Sequence, residues 1–507
     1  MSPRVPAIRR SRCYSATSVA TPVQLVSEAP FMTGPTAVDA RLADRLLAAA
    51  LASGGDHAEL FFEYRRSLHL ALDDGRVRSV GAGVDVGVGI RVMAGGAVGL
   101  AYAESLEPAA MLAAARTAGK VARARGVVPR ARRGAHHQRG PVRRAQLPGD
   151  AGVDAPASAC ADILRRIDRA ARLASPSIVR VEVQLSAVHR EVLVVASGGP
   201  MLHDIQPLLR VNAVAVAERN GRREAGACGG GGRVGLDYFT RRSPEAHAEE
   251  AARIALVNLD ARPAPAGQLP VVLAAGDAGI WLHEAVGHGL EADFLRKGTS
   301  SYAGREGQRV ASDRVTLIDD ATVPHGRGSL AVDDEGVVPR RHMLIEDGVL
   351  RGALHDRLSA RVAGIEPPGS GRRQSFRDVP LPRMTNTWLA AGTDDPADII
   401  RSVRHGVYAV KFSGGQVNIA AGDFVFAVTE GYLIEDGKLT APLRGVHLIG
   451  NGPAALNSVS MVGHDLQMSE GTWTCTKDGQ NVPVGVGMPT VKIDRLTVGG
   501  TALPGTA

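Results

Sequence analysis

The chain has 507 residues, 44% hydrophobic and 22% charged, so it reads as an ordinary globular protein long enough for two or more cores. No stretch reaches the roughly 18–20 apolar residues that cross a bilayer, because Asp277 breaks the longest candidate, Leu269 to Ile280, and this excludes a membrane span. The net charge of +7 has a local source: eight arginines and no acid lie between Val121 and Gly149, and without them the chain stands at −1.

Residues 1–40 read as a disordered tail. The first 27 residues hold Arg4, Arg9, Arg10 and Arg12, several serines and no acid, a composition shared with transit peptides, without the apolar run of a secretory signal. A start placed too far upstream accounts for it as well. A helix is expected from about Ala40 to Ala52, where Leu42, Leu46, Leu47 and Leu51 recur at helical spacing before Gly54-Gly55. Leu60 to Ala71 then leads into Asp74-Gly75, a hairpin signal, and Val77 to Ala103 continues as an alternating strand segment. Glu107 to Ala124 reads as helix. The basic stretch that follows, 121–158 in all, is broken by Pro and Gly and lacks aromatics through its arginine run. A nucleic-acid face is normally interleaved with aromatics, so this composition argues for a loop and against a nucleic-acid partner. Ile163, Ile167, Ala170 and Leu173 mark the next helix. Val179 to Ser197 and Leu208 to Ala217 read as strands, with Asn220-Gly221 as a turn, and a helix spans about Pro244 to Leu259. Residues 41–262 are therefore expected to form an N-terminal α+β domain with an antiparallel sheet.

Ala261 to Gly267 has linker composition, and the texture then changes to glycine and β-branched residues. Leu344-Ile345-Glu346-Asp347-Gly348 and Leu433-Ile434-Glu435-Asp436-Gly437 predict two similar hairpins in one large sheet assembly. The expectation for residues 268–507 is a mostly β C-terminal domain. The cysteines Cys13, Cys160, Cys228 and Cys475 are far apart and form no CxxC pair, so each is a free thiol or a ligand, which suits a reducing cytoplasm.

At the opening of the second domain stands Leu282-His283-Glu284-Ala285-Val286-Gly287-His288-Gly289-Leu290. Two imidazoles can bind zinc while the adjacent carboxylate takes a proton from its water. Metal-binding histidines usually sit at i and i+4, about 40° apart around a helix; here they sit at i and i+5, about 140° apart in an ideal one. A π-type turn would restore one face, and Gly287 and Gly289 would ease it. A catalytic zinc also wants a third protein ligand. Cys475, in the polar, glycine-bounded stretch Gly471 to Gly479, is one candidate, and Glu291 and Asp293 are others.

These residues resemble the TldD branch of the TldD/PmbA (TldD/TldE) metallopeptidase family, over roughly residues 40–120 and 160–500. The resemblance runs through Trp281 to Phe294, Arg222 to Gly226 with Gly229 to Gly232, and Gly371 to Ser375. It continues through Pro382 to Thr387, Gly414 to Val417 and Leu496 to Gly500. It implies that His283, His288 and Cys475 hold a Zn²⁺ ion, that Glu284 is the catalytic base, and that the HExxxH helix belongs to the C-terminal domain. It also implies hydrolysis of unfolded or short peptides, as in leader trimming or antitoxin turnover, by the catalytic subunit of a heterodimer with a TldE/PmbA-like paralogue. Glycine-lined strand edges suit an extended peptide bound by strand addition, and Arg383 to Thr387 is a candidate for part of that cleft. Residues 125–158 depart from the family, through either a shifted reading frame in an arginine-rich coding stretch or a lineage-specific loop. Two rival readings remain: a non-catalytic interaction subunit with a vestigial metal site, and a nucleic-acid-associated regulator acting through the 121–149 arginines.

Overall fold

A computed structural model describes residues 29–125, 137, 142–146 and 151–500. The expectations for residues 1–28 and for most of the basic stretch fall outside the described residues. The remainder of the expected tail, residues 29–39, packs on the first core through Ala29, Phe31 and Val38.

Helix α1 (Ala40–Leu51) starts at Asp39, whose carboxylate accepts the Leu42 amide at 2.7 Å. Strands β1 (His57–Asp73) and β2 (Arg76–Ala94) meet at Asp74-Gly75, both at positive φ (51° and 76°), as a tight hairpin requires. The segment read as continuous from Val77 to Ala103 turns again at Gly95-Gly96 before β3 (Ala97–Ala103), and α2 (Pro108–Arg125) follows. Then come β4 (Arg143–Gln146), α3 (Ala157–Ala174), β5 (Ile178–Ala196), β6 (Met201–Arg219), β7 (Arg222–Gly232), α4 (Tyr238–Arg241) and α5 (Pro244–Leu259). Asn220-Gly221 turns β6 into β7.

These strands form one seven-stranded sheet in the order β3-β2-β1-β5-β6, with β4 and β7 both on the outer side of β6. Every pairing is antiparallel except that of β4. Strands β2, β5 and β6 each run 19 residues, roughly 60 Å at about 3.3 Å per residue. Alternation decides what each face meets. Leu60, Phe62, Leu68 and Leu70 of β1 point to the helices, where α1 and α2 cover one end and α3 and α5 the other. Glu59, Phe61 and Glu63 point the opposite way, into the second domain, whose Phe376 packs on Phe61, Val192 and Val194.

The expected linker is itself paired. Strand β8 (Arg262–Pro263) lies beside Leu443-Arg444, and β9 (Gly267–Leu273) enters the main C-terminal sheet between His405–Asn418 and Val491–Gly499. That sheet has eight strands, and a second sheet of six contains Leu317–Asp320, Asn386–Leu389 and Gly485–Met488. The two Asp-Gly hairpins, expected in one assembly, lie in different sheets: Asp347-Gly348 turns in the six-stranded sheet and Asp436-Gly437 in the eight-stranded one. Local turn chemistry is identical in the two, but sheet membership depends on pairing partners far away in sequence. Helix α6 (Ile280–Ala285) runs through the core and packs on strands of both sheets.

Candidate metal centre

The HExxxH stretch is not one helix. Helical bonding ends with the Val286 amide on the Leu282 carbonyl at 3.1 Å, and Val286 leaves the helix at φ −130°. Gly287–Leu290 then form a 3₁₀ turn, Glu291 is extended, and α7 (Ala292–Lys297) begins. The expected π-type turn is thus replaced by a break and a tighter turn. The glycines serve close approach rather than a wide turn. A Cβ on Gly287 would lie 2.0 Å from Met384 Sδ, and one on Gly289 would lie 2.8 Å from the Tyr302 ring. The break brings the rings of His283 and His288 to a 5.0 Å centroid separation, nearly perpendicular at 83°.

Cys475 sits on a strand, Thr474–Lys477, paired with Gln480–Pro483, rather than in an open loop. Asp478 and Gly479 close this hairpin at φ 48° and 75°. Three buried guanidiniums hold it through main-chain carbonyls. Arg383 donates to Cys475 O at 2.8 Å, Arg327 to Trp473 O at 2.8 Å, and Arg372 to Pro483 O at 2.7 Å. Arg383, Thr385, Asn386 and Thr387 are buried and bonded within the fold, the two threonines to Asp319. The segment offered as a cleft wall is therefore internal support for the hairpin and the break.

The structure brings His283, His288 and Cys475 together: one potential ligand atom from each lies within 4.8 Å of the others, and all three side chains are buried. The Cys475 sulfur lies 3.4 Å from His288 Nε2. The other His288 nitrogen, Nδ1, is 3.0 Å from Glu291 Oε2, which sets Nε2 toward the thiol. Glu291 and Asp293, the rival third ligands, are occupied elsewhere: the Lys477 ammonium donates to them at 3.0 and 2.7 Å and to Pro382 O at 3.1 Å. Lys477 escaped the sequence reading, although it lies two residues from Cys475 and so shares its strand face. Glu284 stands at the solvent side, 19% exposed, with Oε2 3.8 Å from His288 Nε2.

Burial pushes the Cys475 thiol up, but the adjacent imidazoles of His283 and His288 outweigh it and hold the group well below its usual range. Burial likewise pulls His288 down, while Glu291 and Cys475 together raise it well above the usual imidazole range. Glu291 is driven up by burial and brought down, on balance, to about 2 by His288 and Lys477. Both ring nitrogens of His283 are buried without a hydrogen-bond partner. An unsatisfied buried polar group costs about 1–3 kcal/mol. Two imidazoles and a thiolate are donors that zinc accepts, and a metal would satisfy the orphaned His283. The residues present fit such an ion.

Matches to known proteins span the same framework. The PmbA/TldA metallopeptidase domain 1, central domain and C-terminal domain models match residues 58–122, 152–259 and 266–500. A metalloprotease TldD homologue of Haemophilus influenzae is 42% identical over 458 residues, covering 88% of this chain and 93% of that protein. A zinc metalloprotease TldD homologue of Saccharolobus solfataricus is 37% identical over 236 residues, 46% of this chain and 52% of that one. The crystal structure of TldE from Thermococcus kodakarensis superposes with a TM-score of 0.71 over 90% of this chain and 100% of that chain, at 19% identity. At that identity it shows a shared fold.

Proposed function

The chain belongs to the PmbA/TldD metallopeptidase family, and from that premise we propose that it is a zinc peptidase of the HExxxH type. It hydrolyses unfolded or short peptides in the cytoplasm, as the catalytic subunit of a heterodimer with a TldE/PmbA-like paralogue. The observation that carries the reading is the buried convergence of His283, His288 and Cys475, with His283 otherwise unpartnered.

In this reading the three residues would hold a zinc ion, which would supply a Lewis acid able to lower the pKa of a bound water toward about 7 and polarise the scissile carbonyl. His288 keeps its proton on Nδ1 against Glu291, so Nε2 offers its lone pair. The Glu284 carboxylate takes a proton from the attacking water; the water oxygen bonds the scissile carbon, the C–N bond breaks, and Glu284 returns the proton to the leaving amine nitrogen. The three charge-bearing carbonyl contacts from Arg327, Arg372 and Arg383 keep the Cys475 hairpin in place while this occurs. A centre this deeply buried favours an extended chain over a folded one. Free cysteines at Cys160, Cys228 and Cys475 suit a reducing compartment. Among the described residues no helix is long and apolar enough to cross a membrane.

Elemental analysis of wild type and Cys475→Ala tests this, with cleavage of an unfolded peptide measured in the presence of the paralogous subunit. One zinc per chain, lost in the variant together with activity, is the expected result. A metal-free wild type that still folds and binds its partner would turn the reading to a non-catalytic subunit.

A further inference from the structure

The second face of the long sheet is divided. Its first half, around Glu59, Phe61 and Glu63, is covered by the C-terminal domain, whereas its second half opens into a cleft of about 390 Å³. The floor of that cleft is formed by Arg65 and His69 of β1 and by Arg210 of β6. Its far wall is Arg327 with Thr474 and Asn481. Thr474 and Asn481 belong to the Cys475 hairpin, in which alternate residues point to opposite faces. Cys475 faces the metal centre and its neighbours face the cleft, so one hairpin separates the two.

The charge of this cleft is one-sided. Among the described residues lining it there is no acid and no Phe, Tyr or Trp. Arg327 is 94% buried by its 6% exposure, and its Nη1 has no hydrogen-bond partner. Burial first, and then the like charges of Arg210 and Arg372, bring Arg327 down to about 9. Burial also lowers Arg210, with no acid offsetting it, while Glu63 and Asp85 offset only Arg65. Arg210 and Arg327, partly desolvated and with no acid offsetting either, form a site that an anion would stabilise. Guanidinium forks match planar carboxylates, and the lack of aromatic platforms disfavours stacked bases.

We propose that this cleft binds the carboxylates of an extended acidic peptide segment, gripped between Arg210 on the sheet and Arg327 beside the Cys475 hairpin. Calling that segment substrate rests on the peptidase reading; the binding itself does not.

The test is fluorescence anisotropy on the full chain with a chelator present. The probes are an unstructured glutamate-rich peptide and the same peptide with glutamine at each glutamate. Wild type should bind the acidic peptide at least about tenfold more tightly, a margin of one charge-assisted contact or more. The margin should shrink as salt rises and vanish in Arg210→Gln. Arg210 is exposed, so its thermal unfolding should match wild type; Arg65→Gln is a second variant that should narrow the margin independently. Equal affinity for the two peptides, or a preference that survives both substitutions, would overturn the proposal. So would a single-stranded oligonucleotide that binds more tightly and displaces the acidic peptide. Absence of zinc-dependent cleavage with the carboxylate preference intact would sink the peptidase reading alone. Cleavage without that preference would sink the cleft alone.

Discussion

Two of the buried polar clusters in this chain differ in whether each member meets a matching partner charge. Where the C-terminal domain covers the long sheet, Glu59 is paired with both Arg91 and Arg373, and Arg91 also reaches Glu335. Beside it, Arg190 bridges Glu63 at 2.6 Å and Asp334 at 3.2 Å, and Arg373 lies 4.4 Å over the Phe61 ring. Each charge there has an opposite charge supplied by the protein, and the cluster joins two domains. At the candidate metal centre, by contrast, His283 has neither nitrogen satisfied, although its neighbour His288 is supported by Glu291 and Lys477. A cluster whose charges are matched within the protein holds two domains together, whereas a histidine with neither ring nitrogen satisfied, set in a supported frame, awaits a ligand.

That contrast predicts opposite signatures for substitutions of similar size. The largest effect is expected from Glu284→Gln, which should lower peptide hydrolysis by about 10²–10⁴-fold. Its unfolding midpoint and zinc content should stay at wild-type values; a variant as active as wild type would remove Glu284 from the reaction. Arg373→Met should do the reverse, destabilising the chain by about 3–5 kcal/mol in denaturant unfolding because Glu59 stays buried and under-paired. The folded fraction should keep its zinc. If stability is unchanged, the interface cluster is not the clamp described above.

The same cluster sets a pH dependence. Burial pushes Glu59 up, but Arg91 and Arg373 bring it, on balance, to about 2, below its unfolded value of 4.5. Its contribution is therefore fully present above about pH 4.5 and lost as pH falls toward 2. Depression by that much is worth roughly 3 kcal/mol. Urea titrations at pH 7 and pH 3 should show about two-thirds of this loss, roughly 2 kcal/mol, in wild type and a smaller one in Glu59→Gln. An equal pH response in both would place the acid sensitivity elsewhere. The smallest effect belongs to the supporting frame: Glu291→Gln should weaken zinc binding by about 10–100-fold, read by competition with a chelator, while Asp293→Asn should change it less. Equal affinities for wild type and Glu291→Gln would mean that His288 needs no orienting partner.

Much of the local structure was legible in the residues. Asp74-Gly75, Asn220-Gly221 and the two later Asp-Gly pairs all turn hairpins, since positive φ at consecutive positions is a property of those residues themselves. The helices at 40–51 and 244–259 follow from apolar spacing and from the Asp39 and Ser243 caps. His283, Glu284 and His288 were legible as a motif because six consecutive residues carry it. Cys475 stood as one candidate third ligand beside Glu291 and Asp293 until the resemblance singled it out, since 187 residues separate it from His288.

What the sequence by itself determined was therefore whatever depends on neighbours along the chain: turn types, helix spans, strand alternation and the identity of the motif. Tertiary structure alone decided that Met384 and Tyr302 lie too close to the motif glycines to admit a Cβ, and that Lys477 pairs with Glu291. It also decided that like hairpins join different sheets, and that one half of a strand face is sealed while the other stays open. The physical reason is range. Backbone dihedrals and side-chain period are set within a few residues, whereas a buried contact exists only where two distant segments lose their water together.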